Sequence, residues 1–340
     1  MLRTLCVNSH ILEINQNNIA IGDKVIKTIT IGKLRGLQQC TSTQGTFTCL
    51  ALDHRQNLRK ANPAFVNDPA LSSFKMDVTS ALSSEATAVL LDPEVSAAQA
   101  IASGAIPRNT GLIVALEATG YSGDHKSRES RVIQGWSAEQ VKRMGASMAK
   151  LLVYFHPQSP TADSVEKFTT IISKECINND LALMVEPLSY SLTDEPLAGD
   201  EKRKVIVAIA RRFSRIEGVD VLKIDMPLDT TNSDHSQLSD TCEEVNSEMN
   251  TPWIILSGAA PFKAYEQQVI AACKSGASGI AVGRAVWQES ILMKEGSRRD
   301  FLNTVAKQRL NTLASLCNTF GRSIDEHFSA DAPFDWFRDY

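Results

Sequence analysis

The chain has 340 residues, 43% hydrophobic and 22% charged, with a net charge of −4 at neutral pH. That composition supports a large core without metals or disulfides, and nothing in the charge favours a polyanion such as nucleic acid. No apolar run approaches the ~18 residues of a transmembrane helix, and the opening Met1-Leu2-Arg3 lacks a signal-peptide pattern, so a cytoplasmic soluble protein with no membrane partner is expected.

Residues 1–33 read as an N-terminal extension; loose alternation of Asn and Ile through ILEINQNNIAIG suggests a short hairpin there. From Thr46 a rhythm sets in. Short apolar or β-branched runs recur at TFTCLALD (46–53), AVLLD (88–92), GLIVALE (111–117), AKLLVYF (149–155), ALMVE (182–186), VLKID (221–225), WIILS (253–257) and GIAV (279–282). Continuous apolar runs of this length suit strands buried on both faces, as in a parallel sheet. The stretches between them carry helical signals. Ser137 and Gln140 form a capping-box pattern ahead of a helix through Met144 and Met148. Val165, Phe168, Ile172 and Cys176 recur at helical spacing, as do Phe262, Tyr265, Val269 and Cys273 behind a Pro261 at the first helical position. Phe301, Val305, Leu310, Leu313 and Leu316 mark the last helix.

Eight strand–helix alternations predict an α/β fold, a single (β/α)8 TIM barrel over residues 34–325. A doubly wound open sheet is the alternative, but no G-x-G-x-x-G follows the first strand. The tail at 326–340 ends in PFDWFRDY, an aromatic cluster expected to pack on the barrel or on a partner chain, which makes a homo-oligomer an option.

Seven cysteines, at 6, 40, 49, 176, 242, 273 and 317, include no C-x-x-C pair and read as buried free thiols. The six histidines are scattered without ligand spacing, which argues against a metal site.

In a barrel the chemistry lies at the C-terminal ends of the strands. Those ends carry Asp53-His54-Arg55, Asp92, Glu117, Glu186, Asp225, Ser257-Gly258 and Gly283-Arg284, while Lys150 and Lys223 lie inside apolar strands four and six. Lysine is almost never buried without reason. If both lysines point inward, burial and mutual repulsion lower their pKa and leave a neutral nucleophilic amine. The structural alternative is an ion pair such as Lys150–Glu186. An amine that forms an iminium on a ketose needs a carboxylate to move the proton, and Glu186 and Asp53 are the candidates. Asp53 alternatively caps the following helix. Ser257-Gly258 and Gly283-Arg284, on consecutive strand ends, occupy the usual barrel phosphate site, where glycine admits the phosphate to the backbone and arginine offers a fork.

LALDHR (50–55), LLDPE (90–94), LEATGY (116–121), AKLLVYF (149–155), VEPLSY (185–190), VLKIDMP (221–227), PWIILSGAA (252–260) and GASGIAVGRAVW (276–287) resemble the tagatose-1,6-bisphosphate aldolase family, which includes sulfofructose-1-phosphate aldolases. The resemblance spans about residues 34–320. It implies a class I lyase with no metal and no cofactor beyond a covalent Schiff base on Lys223. It further implies Lys150 as the strand-four lysine, Glu186 as proton shuttle, Asp53 as the strand-one aspartate, and Ser257 and Arg284 at the phosphate. Familiar members read D-Q-R where this chain has Asp53-His54-Arg55, so the group at carbon six is open, and Arg55 and His54 are candidates to meet a phosphate or sulfonate there. The expected substrate is a phosphorylated sugar, tagatose 1,6-bisphosphate first and sulfofructose 1-phosphate second. A barrel that senses a sugar phosphate without turnover is the alternative of another class.

Overall fold

The computed structural model describes residues 18–21, 24–228, 235–338 and 340. Strands β1 (Asn18–Ile21) and β2 (Lys24–Thr28) form an antiparallel hairpin, and β2 pairs in parallel with β11 (Phe328–Ser329). Of the segment 11–22 expected to form a hairpin, only Asn18–Ile21 is described, and it pairs with Lys24–Thr28 beyond that segment; residues 1–17, 22 and 23 lie outside the described residues.

The other eight strands close into a parallel barrel. They are β3 (Phe47–Ala51), β4 (Ala88–Leu91), β5 (Gly111–Ala115), β6 (Met148–Phe155), β7 (Ala182–Ser189), β8 (Val221–Ile224), β9 (Trp253–Leu256) and β10 (Gly279–Val282), with β10 paired to β3. Each coincides with one of the eight apolar runs. The runs are continuous because both faces are buried. Cys49, Ala51, Leu90, Ile113, Met148, Met184, Val221 and Ile254 fill the barrel interior, while Leu50, Leu52, Val89, Leu91, Ala149, Leu183 and Leu222 face the helices. The side-chain period of two assigns every later residue of a strand to one of these faces.

The barrel floor is closed from below. Leu37, Ile324 and Phe328 join the interior cluster with Phe47. Helix Ile31–Gln39 supplies Leu37, so the expected boundary at residues 33–34 falls inside this helix. The aromatic tail meets the same region in part: the Tyr340 hydroxyl accepts from the Gly32 N–H at 3.2 Å, and Trp336 lies edge-on to Tyr340 at 5.0 Å. Phe334 and Phe337 stay exposed.

Three helical details differ from the sequence pattern. Ser137 does cap a helix, but it spans only Ala138–Arg143; Met144 is its C-cap and Met148 opens β6. Pro261 is the N-cap residue of helix Phe262–Lys274 and precedes its first helical position. The last helical run, from Glu295 to Phe320, contains a π-turn at Leu302–Ala306, which breaks the 3.6-residue phase: Leu302 and Ala306 are buried and Val305 is 42% exposed. Six cysteines are free and buried, and Cys6 lies outside the described residues. Among the described residues no helix is long and apolar enough to cross a membrane.

Candidate active site

A cavity of about 820 Å³ opens at the C-terminal end of the barrel. Its floor is set by strand parity. Asp53 follows Cys49 and Ala51, Glu117 follows Ile113 and Ala115, Lys150 follows Met148, Glu186 follows Ala182 and Met184, and Lys223 follows Val221. Each polar residue therefore occupies the next inward position above the apolar interior.

Lys150 is fully buried, and its ammonium sits 2.8 Å from Asp53, 2.6 Å from Glu117 and 2.9 Å from Glu186. Burial alone would lower its pKa, but the three carboxylates outweigh it and hold the ammonium well above the usual range. This corrects the expectation of a lowered Lys150: the ion pair weighed as the structural alternative exists, and with three partners. The same charges act in reverse on the acids. Burial would raise Glu186 and Asp53, but Lys150 and Lys223 hold Glu186 below its ordinary pKa and Asp53 well below. Asp53 does not cap the following helix, whose N-cap residue is Arg55.

Lys223 is 4% exposed, lines the cavity, and has its Nζ 2.9 Å from Glu186 Oε2. Both lysines thus meet the same carboxylate oxygen. Three carboxylates thus surround the Lys150 ammonium, and one meets Lys223 among the described residues.

At the ends of β9 and β10, the strands that follow β8 around the barrel, Ser257, Gly258, Gly283 and Arg284 come together in the cavity lining. Gly258 and Ala259 take left-handed φ of 52° and 65°, and Ala260 N–H closes the turn on Ser257 O at 2.7 Å. Gly283 has no room for a side chain, since a Cβ would stand 2.8 Å from Ala51 O. Arg284 has no ion-pair or hydrogen-bond partner among the described residues; burial lowers its pKa against the pull of Glu186. An unpaired guanidinium in a cavity is a ready anion site.

His54 packs edge-on against Trp287 at 5.6 Å and leaves Nδ1 buried without a hydrogen-bond partner. Burial, with Arg284 and Lys223 nearby, brings its pKa down to about 4 against the pull of Asp53, so the ring is neutral at physiological pH. Arg55 lines the cavity, but its guanidinium is held by the Glu94 carboxylate and by Glu117 O at 2.8 Å, which leaves it less free for substrate than the sequence suggested. Asp92 turns outward to the buried Lys75 and to the N–H groups of Glu94 and Val95.

Glu117 was visible as a strand end, yet sequence reasoning left it out of the site; its parity with Ile113 was the signal. Tyr154 was missed as well, although it shares the inward face of β6 with Lys150. The eight-residue pairing of β6 with β7 carries Tyr154 into the cavity wall, where Tyr121 meets it at 5.1 Å and Arg128 stacks 4.6 Å above Tyr121. Among the described residues no group of His, Cys, Asp and Glu converges to hold a metal ion.

The family model described as DeoC/LacD family aldolase matches residues 47–289. The chain belongs to the DeoC/LacD aldolase family. This aldolase is a lyase. It is 28% identical over 325 residues to tagatose 1,6-diphosphate aldolase of Streptococcus agalactiae, covering 88% of this chain and 99% of that protein. It is 27% identical over 317 residues to tagatose 1,6-diphosphate aldolase of Listeria monocytogenes, covering 85% and 92%. The fold matches a Schiff-base-forming fructose-1,6-bisphosphate aldolase with TM-score 0.57 at 22% identity, covering 84% of this chain and 99% of the other. It also matches the fructose-bisphosphate aldolase from Plasmodium falciparum with TM-score 0.66 at 12% identity, covering 88% and 98%.

Proposed function

We propose that this aldolase reversibly cleaves a ketose 1,6-bisphosphate, tagatose 1,6-bisphosphate first, to dihydroxyacetone phosphate and glyceraldehyde 3-phosphate. The observation that carries the reading is one buried lysine, Lys223, whose Nζ lies 2.9 Å from Glu186 in a cavity that also presents the unpaired Arg284. The names of the curated relatives support the choice of sugar.

In this reading Lys223, having passed a proton to Glu186, attacks the C2 carbonyl. Loss of water gives an iminium that serves as electron sink. A carboxylate, Glu186 or Asp53, takes the proton of the C4 hydroxyl; the C3–C4 bond breaks, and its electrons form an enamine as the aldehyde leaves. Protonation at C3 and hydrolysis return dihydroxyacetone phosphate and free Lys223. Lys150 stays charged and holds the carboxylates in register. The 1-phosphate lies against Arg284, the Ser257 hydroxyl and the N–H groups of the Gly258 turn, with Gly283 allowing close approach. Neutral His54 hydrogen-bonds the sugar or its phosphate. The lysine supplies the electron sink, so the reaction calls for no cofactor.

Sulfofructose 1-phosphate is the second reading. It is favoured by the pairing of Arg55 with Glu94 and the Glu117 carbonyl, which leaves less positive charge for a second phosphate dianion. Release of dihydroxyacetone phosphate, followed by a coupled dehydrogenase with tagatose and fructose 1,6-bisphosphates and sulfofructose 1-phosphate, tests both. The first reading expects tagatose 1,6-bisphosphate to be cleaved with the highest kcat/KM and the rate to survive EDTA. Turnover of the sulfonate alone supports the second, and turnover of none refutes both.

A further inference from the structure

A second cavity, of about 590 Å³, lies on the floor side of the barrel, between β2, the N-terminal part of helix Ile31–Gln39, the segment leading into β8, and the tail. No residue of it belongs to the active-site cavity. Its volume falls within the range of about 300–1,000 Å³ typical of small-molecule sites. Ile29, Ile177, Ile216, Phe328 and Trp336 give it apolar walls.

Its charges are unevenly matched. Lys33 and Asp220 neutralise each other at 2.8 Å, with side chains only 4% exposed. Glu217 and Asp331 are exposed, where water screens them. Arg215, half exposed, donates to Glu248 O at 3.2 Å and stands 3.7 Å from the Glu248 carboxylate. Lys27 is different. It is half-buried, its ammonium has no ion-pair or hydrogen-bond partner among the described residues, and the nearby Arg215 acts on it as a like charge. Asp220, the one acid among the described residues that draws on it, is already spent on Lys33 and the Leu183 N–H. Burial accordingly pushes the Lys27 pKa down. Two cations brought together at an apolar cavity, one of them partly desolvated and unpaired, call for an anion.

We propose that this floor-side cavity binds a small amphipathic anion, with its charged head on Lys27 and Arg215 and its apolar body against Ile29, Ile216, Phe328 and Trp336. Neither cation takes part in the aldol chemistry, so the site is separate from catalysis. The head is a carboxylate or sulfonate, and the body is either aromatic or a short alkyl chain. The plain alternative is that Lys27 lays its stem on the apolar wall and keeps its ammonium in water, in which case the cavity has no preference for charge.

The test is titration of the full chain with 8-anilinonaphthalene-1-sulfonate, followed by calorimetry and by quenching of Trp336 fluorescence, with Trp336→Phe as the assignment control. N-phenyl-1-naphthylamine, which has the same rings without the sulfonate, is the neutral comparison. The proposal expects one saturable site, at least ten-fold weaker binding in Lys27→Met, weaker binding in the exposed-site variant Arg215→Ala, and no effect of either on the neutral probe. Lys27→Met keeps the apolar stem, and a melting temperature and aldolase rate close to the parent show that it is folded. Competition by 1-naphthoate assigns an aromatic body, and competition by decanoate an alkyl one; either supports an anion site. The proposal is overturned if the sulfonate finds no saturable site, if both variants bind it as the parent does, or if the neutral probe binds as tightly.

Discussion

Lys150→Met removes the ammonium that three carboxylates share, at 2.8 Å from Asp53, 2.6 Å from Glu117 and 2.9 Å from Glu186, and replaces it with an apolar chain of similar length. Removing one partner of a buried ion pair costs about 3–5 kcal/mol, because the other partner is left desolvated and unpaired. The pH dependence follows from the signs. In the parent, Lys150 is raised, so its contribution is complete below its unfolded pKa of about 10.4 and is lost only as pH climbs through the higher folded value. Asp53 and Glu186 are lowered, so their contribution is present above unfolded values of about 3.9–4.3 and is lost as pH falls through the folded ones. In the variant, Asp53 and Glu186 keep only the pull of Lys223, one cation for two buried acids, and at least one of them takes up a proton. The native state then binds more protons than the unfolded chain, and stability falls with rising pH by up to about 1.4 kcal/mol per unit for each such proton. Urea denaturation at pH 5 and pH 7.5 therefore finds a loss of about 3–5 kcal/mol at the higher pH and about 1–2 kcal/mol less at the lower. A loss below about 1 kcal/mol, or one equal at both pH values, would refute the account of Lys150 as a charge held by three acids.

Three further outcomes are expected. Glu186→Gln keeps the shape of the site but cannot take a proton, so kcat falls about 10²–10⁴-fold; a loss of only a few-fold would move the proton shuttle elsewhere. Arg284→Ala removes a charge-assisted contact of about 1.5–3 kcal/mol, which lowers kcat/KM about 10- to 100-fold and weakens inhibition by inorganic phosphate; unchanged inhibition would place the phosphate elsewhere. His54, with a pKa of about 4, binds its proton later in the folded protein than in the unfolded chain, so its contribution is present above the unfolded value of about 6.5 and is lost as pH falls toward 4. His54→Gln therefore flattens the rise of stability between pH 4 and 6.5, by up to about 3 kcal/mol in all, and leaves the pH–rate profile unchanged between pH 6 and 8. A shifted limb in that profile would mean that His54 titrates during turnover.

Much of this molecule is legible in its sequence, and period two is the reason. A strand buried on both faces has an apolar residue at every position, so Lys150 and Lys223 stand out within their runs, and parity sends them inward with Asp53, Glu117 and Glu186. Glycine carried similar information at Gly283, where the backbone leaves no room for a Cβ. What sequence could not supply is how many acids meet each lysine. Lys150 gathers its carboxylates from β7 and from the ends of β3 and β5, and this three-to-one ratio reverses the sign of its expected pKa shift. Arg55 is a second instance: its partner Glu94 comes from the loop after β4, a contact across 39 residues of chain. The π-turn at Leu302–Ala306 is a third, since a helical pattern projected with one fixed period places Val305 on the wrong face. Length also misled. The segment before β6 holds six helical residues, and Met148 belongs to the strand that follows.

The most direct test of the central claim is borohydride reduction of the enzyme in the presence of dihydroxyacetone phosphate, followed by peptide mass mapping. The account predicts a single stable adduct on Lys223, retained in Lys150→Met protein that remains folded and absent from Lys223→Ala. An adduct on Lys150, or none on any lysine while the parent cleaves a ketose phosphate, would contradict it.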